Sequence, residues 1–96
     1  MIRSFGNRLA GDVFNDRRAA AVRRLPPTLY ETARRRVLYL HEAEELRDLR
    51  VPPGNRLEAF KGNRAKGFSI RINDQWRMVF RWETGQALEV RVVDCH

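Results

Sequence analysis

The residues best suited to chemistry gather at two places. The stretch Val92-Val93-Asp94-Cys95-His96 sets an acid two residues before an imidazole. On a strand, Cys95 and His96 point to opposite faces and make a poor thiol–imidazole pair, which argues against a cysteine hydrolase. A histidine at the last position is usually inert without further context. The second place, Lys61-Gly62-Asn63-Arg64-Ala65-Lys66-Gly67, offers three cations and two glycines. It is too short and wrongly ordered for a nucleoside-triphosphate loop, which closes a longer glycine-rich turn on Lys and Ser or Thr at a helix start. It suits a clamp on an RNA backbone, and equally an ordinary hairpin connection. His41 reads as a surface or interface residue, and one thiol with two histidines is too few soft ligands for structural zinc.

A third set of cations follows from strand parity. Phe68, Ile70 and Ile72 alternate with polar residues, and after the turn-prone Asn73-Asp74 pair Trp76, Met78, Phe80 and Trp82 alternate with Arg77, Val79 and Arg81. If the aromatic parity packs inward, Arg77 and Arg81 face outward, where Arg71 and Arg91 of neighbouring strands join them. A ridge of guanidinium groups would suit phosphates; a solvated outer face would look the same in sequence.

The elements that must position these groups read as an α+β fold. Met1–Phe5 is a short strand stopping at Gly6, and Leu9 and Val13 mark a helical turn. Residues 15–24 are polar and basic, with Arg17, Arg18, Arg23 and Arg24 around an alanine run, and are expected to carry the least order. Pro26 and Pro27 open the main helix, in which Leu29, Ala33, Val37 and Leu40 recur at helical spacing and Arg34, Arg35 and Arg36 face solvent. Glu42, Glu44 and Glu45 near its end oppose the helix dipole, so a break near His41 and a second short helix over Glu42–Leu49 are expected. Pro52-Pro53-Gly54 ends the helical half. Leu57–Phe60, the Lys61-Gly62-Asn63 turn, the hairpin, the Thr84-Gly85-Gln86 turn and a last strand with Leu88, Val90 and Val92 inward complete a meander. An N-terminal strand and two or three helices would thus pack on one face of a mainly antiparallel sheet.

Ninety-six residues and 11.3 kDa allow one domain over residues 1–96. The formal charge of +7 and a pI near 11.0 point first to a polyanionic partner. Only Lys61 and Lys66 among nineteen cations are lysines, and the arginine fork suits phosphate or carboxylate, although codon usage alone also shifts this ratio. An apolar fraction of 43% with nine aromatics (five Phe, two Tyr, two Trp) supports a packed core. The single cysteine excludes an internal disulfide, and no eighteen-residue apolar run or signal peptide is present, so the expected location is cytoplasmic, with no membrane partner.

Taken together, PPGNRLEAFKGNRAKGFSIRINDQWRMVFRW (Pro52–Trp82) and the ending VRVVDCH resemble the HigB toxins of the RelE/ParE superfamily of type II toxin–antitoxin systems. The most specific elements are PPGNRLE, the KGNR turn, SIRINDQWR and the terminal Val-Asp-aromatic-His box in that order. The resemblance implies a small microbial-RNase-like fold and a toxin that enters the ribosomal A site and cuts mRNA as it is translated, without metal or cofactor. It makes His96 the group that transfers the proton and Asp94 its orienting neighbour or an RNA contact. Lys61 and Arg77 would stabilise the phosphate, with Arg64, Lys66, Phe68, Arg71, Arg81 and Arg91 contacting RNA. Cys95 stands where the family commonly has tyrosine, which would weaken activity, and Phe68 where tryptophan is common. Glu58 replaces a histidine found in some HigB proteins and could serve as a base.

The resemblance also implies a HigA-like helix-turn-helix antitoxin, through which alone the toxin would meet operator DNA. The surface around Arg17–Arg24 would face either that antitoxin or ribosomal RNA. A different class remains open on sequence: a RelE-like binding module, weakly active or inactive through Cys95, that serves mainly as the antitoxin's corepressor. A gyrase-directed toxin of the ParE kind shares the fold, but the Asp-x-His box argues against it.

Overall fold

A computed structural model describes residues 1–59 and 67–94. Helices α1 (Arg8–Phe14) and α2 (Tyr30–Glu42) cover one face of a sheet formed by β1 (Glu58–Ala59), β2 (Gly67–Arg71), β3 (Trp76–Glu83) and β4 (Gln86–Asp94). The strands lie in the order β1-β2-β3-β4 and each neighbouring pair is antiparallel. This is the expected α+β layout. The end of the anticipated Leu57–Phe60 strand and the Lys61-Gly62-Asn63 turn fall outside the described residues.

The core forms where the two periodicities meet. Ala33, Val37 and Leu40 present the apolar stripe of α2, and all are fully buried with Ile70, Met78 and Val90 of the sheet. Burying a side chain such as Leu40 contributes about 1.5–3 kcal/mol, enough to outweigh the several arginines that give α2 its polar face. The helix is entered through a 3-10 turn, Pro27–Leu29, because proline sets φ there without wasting a helical N–H.

Residues 15–24 are better anchored than their composition suggests. Asp16 takes a left-handed conformation (φ 55) just after α1, and its carboxylate accepts a hydrogen bond from the Tyr30 hydroxyl. Arg18 stacks 3.8 Å over the Tyr30 ring. A 3-10 turn, Ala20–Arg24, then buries Val22, and Leu25 follows it into the core. Spaced apolar side chains, invisible as a period, hold this connection down.

The helix anticipated over Glu42–Leu49 does not form. α2 ends at Glu42, and a 3-10 turn, Leu46–Arg50, begins with a reciprocal cap: the Glu45 side chain accepts from the Asp48 backbone, while the Glu45 N–H donates to Asp48 Oδ2 at 3.0 Å. Of the three arginines assigned to solvent on α2, only Arg35 is fully exposed. Arg34 is half-buried beside Asp16 at 4.0 Å. Arg36 donates from Nε to the Arg71 carbonyl at 3.1 Å, and burial pushes its pKa below the usual arginine value.

Met1–Phe5 lies beside β4 as expected of a strand, but only as two isolated parallel bridges, Ile2 with Ala87 and Phe5 with Val90. The ladder is interrupted because β4 carries a bulge at Glu89, whose φ is 54. The same bulge overturns one inward assignment. Ala87, Val90 and Val92 are buried, whereas Leu88 pairs with Arg81 on the other face and is only half-buried. The β3–β4 turn is tight, with Thr84 and Gly85 both at positive φ, 48 and 77.

Candidate nucleic-acid interface

Register gathers the sheet arginines on the face turned away from the helices. Arg71 pairs with Arg77, Val79 with Arg91, and Arg81 with Gly67 and Leu88, while their alternating neighbours Ile70, Met78 and Phe80 fill the core. The ridge anticipated from parity is therefore present. It is not a ridge of free cations.

Arg71 and Arg77 sit directly opposite each other, an unfavourable pairing of like charges unless each is compensated. Arg71 is compensated by Asp74, Nη2 to Oδ1 at 2.5 Å, and that hydrogen bond holds the Asp74 carboxyl below the usual carboxylate range. Arg77 is compensated by Glu58, Nη2 to Oε1 at 2.9 Å, and its Nη1 donates to the buried Ser69 hydroxyl at 3.0 Å. Arg81 lies between Glu83 at 2.6 Å and Glu89 at 3.2 Å. Only Arg91 of the four makes no ion pair with a described residue; its side chain runs over Gly6, where a Cβ would come within 2.4 Å of Arg91 Nε.

Arg77 is the best positioned of these cations. Its side chain is 22% exposed, less than Arg71 at 29% or Arg81 at 47%, and two acceptors fix its plane. A guanidinium has five N–H donors, so those not spent on Glu58 and Ser69 remain for an anion. Glu58 has one carboxylate oxygen committed to Arg77.

Asp94 is separated from that ridge. It pairs with Trp76, so its parity is that of the helix-facing residues, and Gln75 Nε2 donates to its Oδ2 at 3.1 Å. Asp94 borders a cleft of about 290 Å³ with Asn7, Arg8, Leu9, Ala21, Arg24, Trp76, Val92 and Val93. Asn7 builds the cleft's wall: its Oδ1 caps α1 by accepting from Ala10 N at 3.0 Å, and its Nδ2 donates to the Val92 carbonyl at 2.9 Å.

Phe68, grouped with the RNA-contacting arginines on sequence, pairs with Phe80 and shares the opposite parity from them. The two rings lie 6.1 Å apart at the edge of the core, so Phe68 is spent largely on packing. Lys61, Arg64, Lys66, Cys95 and His96 lie outside the described residues. Sequence reasoning passed over Ser69, Gln75 and Arg8, and placed Arg24 only within a basic surface, Arg17–Arg24, facing the antitoxin or ribosomal RNA. Ser69 was legible only as an alternating polar residue, and nothing in the local sequence ties Arg8 or Arg24 to Asp94.

Comparison with known proteins places this architecture. A family model described as the RelE-like toxin of the type II toxin–antitoxin system HigB matches residues 4–96. The chain is 41% identical over 66 residues to Toxin HigB-1 of Vibrio cholerae serotype O1, covering 69% of this chain and 70% of that protein. It is 33% identical over 63 residues to an uncharacterized protein of Haemophilus influenzae, covering 66% of this chain and 62% of the relative. The chain belongs to the HigB-like toxin family, within the RelE-like toxins of type II toxin–antitoxin systems. Members of that group are generally endoribonucleases, and a toxin of this type implies an antitoxin partner. No helix among the described residues is long and apolar enough to cross a membrane.

Proposed function

We propose that this protein is a ribosome-dependent mRNA endoribonuclease of the cytoplasm, silenced by a HigA-like helix-turn-helix antitoxin. The observation that carries the reading is the doubly held Arg77 guanidinium on the sheet's outer face, in a chain of the HigB-like toxin family. In this chemistry the RNA 2′-hydroxyl attacks the adjacent phosphorus and the 5′-oxygen leaves. The protein must take a proton, stabilise the charge on the phosphorane oxygens and return a proton to the leaving oxygen.

Arg77 meets the second requirement, because its orientation is set before substrate arrives and costs no reorganisation during reaction. His96 is assigned the proton transfer, Lys61 a second phosphate contact, and Asp94 a role in orienting His96 or the RNA. Arg64, Lys66, Arg71, Arg81 and Arg91 contribute binding through the backbone charge of RNA. Glu58 is assigned to hold Arg77 rather than to act as a base, since one of its oxygens is already committed. Side chains alone carry the chemistry on this reading.

The test is 5′-end mapping of RNA after brief induction. New ends should fall inside translated codons, and His96→Ala or Arg77→Ala should abolish them while the protein still accumulates. Growth arrest with intact mRNA would overturn the proposal.

A further inference from the structure

The sheet and the helical side of this molecule differ in how their cations are spent. On the sheet, Arg71, Arg77 and Arg81 each face a carboxylate within 3.2 Å. At the cleft, Arg8 and Arg24 are exposed and make no ion pair with any described residue. Arg8 opens α1 and Arg24 closes the 3-10 turn that packs beside it, so the two cations reach one cleft from different elements. Apolar Leu9 and Val92, the largely buried Trp76, and Asp94 line the same cleft.

We infer that this cleft is a binding subsite for one nucleotide of a single-stranded RNA, with Arg8 and Arg24 on its phosphate and the apolar floor under its base. Three features carry the inference. A volume of about 290 Å³ is at the small end of ligand sites and suits one nucleotide unit, not a folded partner. Paired arginines supply forked donors matched to a phosphate, and an apolar floor accepts any base face. Finally, Asp94 has the helical parity and lines the same cleft as Arg8 and Arg24, so an RNA that reaches Asp94 lies beside these two cations. The inference rests on the nuclease reading only in taking RNA as the polyanion.

The experiment is a binding titration of the full chain with a 2′-O-methyl RNA hexanucleotide, which lacks the attacking hydroxyl. It compares wild type, R8Q/R24Q, and R35Q/R50Q as a control of equal charge loss at exposed positions outside the cleft. R8Q/R24Q should bind at least about tenfold more weakly, the loss expected for two charge-assisted contacts, and its slope of log affinity against log salt should shrink by about 1.4. R35Q/R50Q should change affinity much less. The indole N–H of Trp76, buried and without a hydrogen-bond partner among the described residues, should shift in NMR spectra on binding, and that of Trp82, which does not line the cleft, should not.

Equal losses in the two double variants would overturn the inference, as would hexaglutamate displacing the hexamer at equal concentration. Thermal melting checks that both variants are folded. If wild type cuts translated mRNA while R8Q/R24Q binds the hexamer normally, the subsite fails and the nuclease reading stands. If the cleft binds RNA but translated mRNA stays intact, the nuclease reading fails and the subsite stands.

Discussion

Arg77 on β3 reaches across β2 to Glu58 on β1, Nη2 donating to Oε1 at 2.9 Å with the Ser69 hydroxyl accepting from Nη1 on the way. The Glu58 side chain is 59% exposed, so the pair stabilises the fold by no more than about 1 kcal/mol. A fixed donor at a developing oxyanion is worth far more to a reaction, about 10²–10³ in rate. Arg77→Ala should therefore lower mRNA cleavage by about two orders of magnitude, with a melting temperature close to wild type. Arg77→Lys should recover little, because an ammonium cannot hold two acceptors in one plane.

Glu58 separates a holding role from a proton-accepting one. Glu58→Gln keeps an oxygen for Arg77 Nη2 and should retain most of the cleavage rate with an unchanged acid limb in its pH profile. Glu58→Ala should fall well below it. Loss of activity in Glu58→Gln as severe as in Arg77→Ala would identify Glu58 as the base. Single-turnover cleavage on programmed ribosomes across pH reads both outcomes.

The Tyr30–Asp16 hydrogen bond ties the start of α2 to the second residue past α1, and it should shape stability at both ends of the pH scale. The Tyr30 hydroxyl, with Arg34 and Arg18 nearby, holds the Asp16 carboxyl below its ordinary value. A depressed folded-state pKa stabilises the fold above the unfolded-state value, near 3.9. That contribution is lost as pH falls through the lower folded value. Burial and Asp16 together push Tyr30 up, so its contribution is present below about pH 10 and is lost as pH rises beyond that. Urea midpoints measured against pH should show both limbs flattened in Tyr30→Phe.

Asn7 serves two elements at once, capping α1 through Oδ1 and bonding the Val92 carbonyl through Nδ2. Asn7→Asp keeps the cap and loses the donor; Asn7→Ala loses both. The cap alone is worth about 0.5–2 kcal/mol. Denaturant unfolding should rank wild type above Asn7→Asp, and Asn7→Asp above Asn7→Ala.

Gly6 is required by a close approach. A Cβ there would lie 2.8 Å from the Glu89 carbonyl oxygen, which is backbone and cannot swing aside, and 2.7 Å from Arg91 Cγ. Gly6→Ala should cost about 1–3 kcal/mol, the range for overpacked sites, and should shift the Arg91 side chain. Chemical denaturation gives the first quantity and a crystal structure of the variant the second.

How far the sequence revealed this molecule depended on how local the cause was. The β3 alternation Trp76-Met78-Phe80 and the α2 spacing Ala33-Val37-Leu40 are periodic, and both elements appear where the period put them. The arginine parity was legible for the same reason. The carboxylates that neutralise those arginines were not, because Glu58 and Arg77 meet only through the register of three strands. The bulge at Glu89 broke the period in β4 and hid both the inward Ala87 and the interrupted pairing of Met1–Phe5. Arg8 and Arg24 come to Asp94 through tertiary packing alone, which no spacing along the chain encodes.

The joining of Met1–Gly6 and Asn7 to β4 also sets a timetable. The Gly6 N–H donates to the Val90 carbonyl at 2.7 Å, and Asn7 meets Val92 across 85 positions of chain. Contacts of such long separation close late, since the intervening loop entropy must first be overcome. While β4 is still inside the translating ribosome, the cap of α1 lacks its second anchor and the cleft lacks one wall. A nascent chain of this toxin is thus an incomplete one, and maturation waits until the codons for Val90 and Val92 have been read and their residues have emerged.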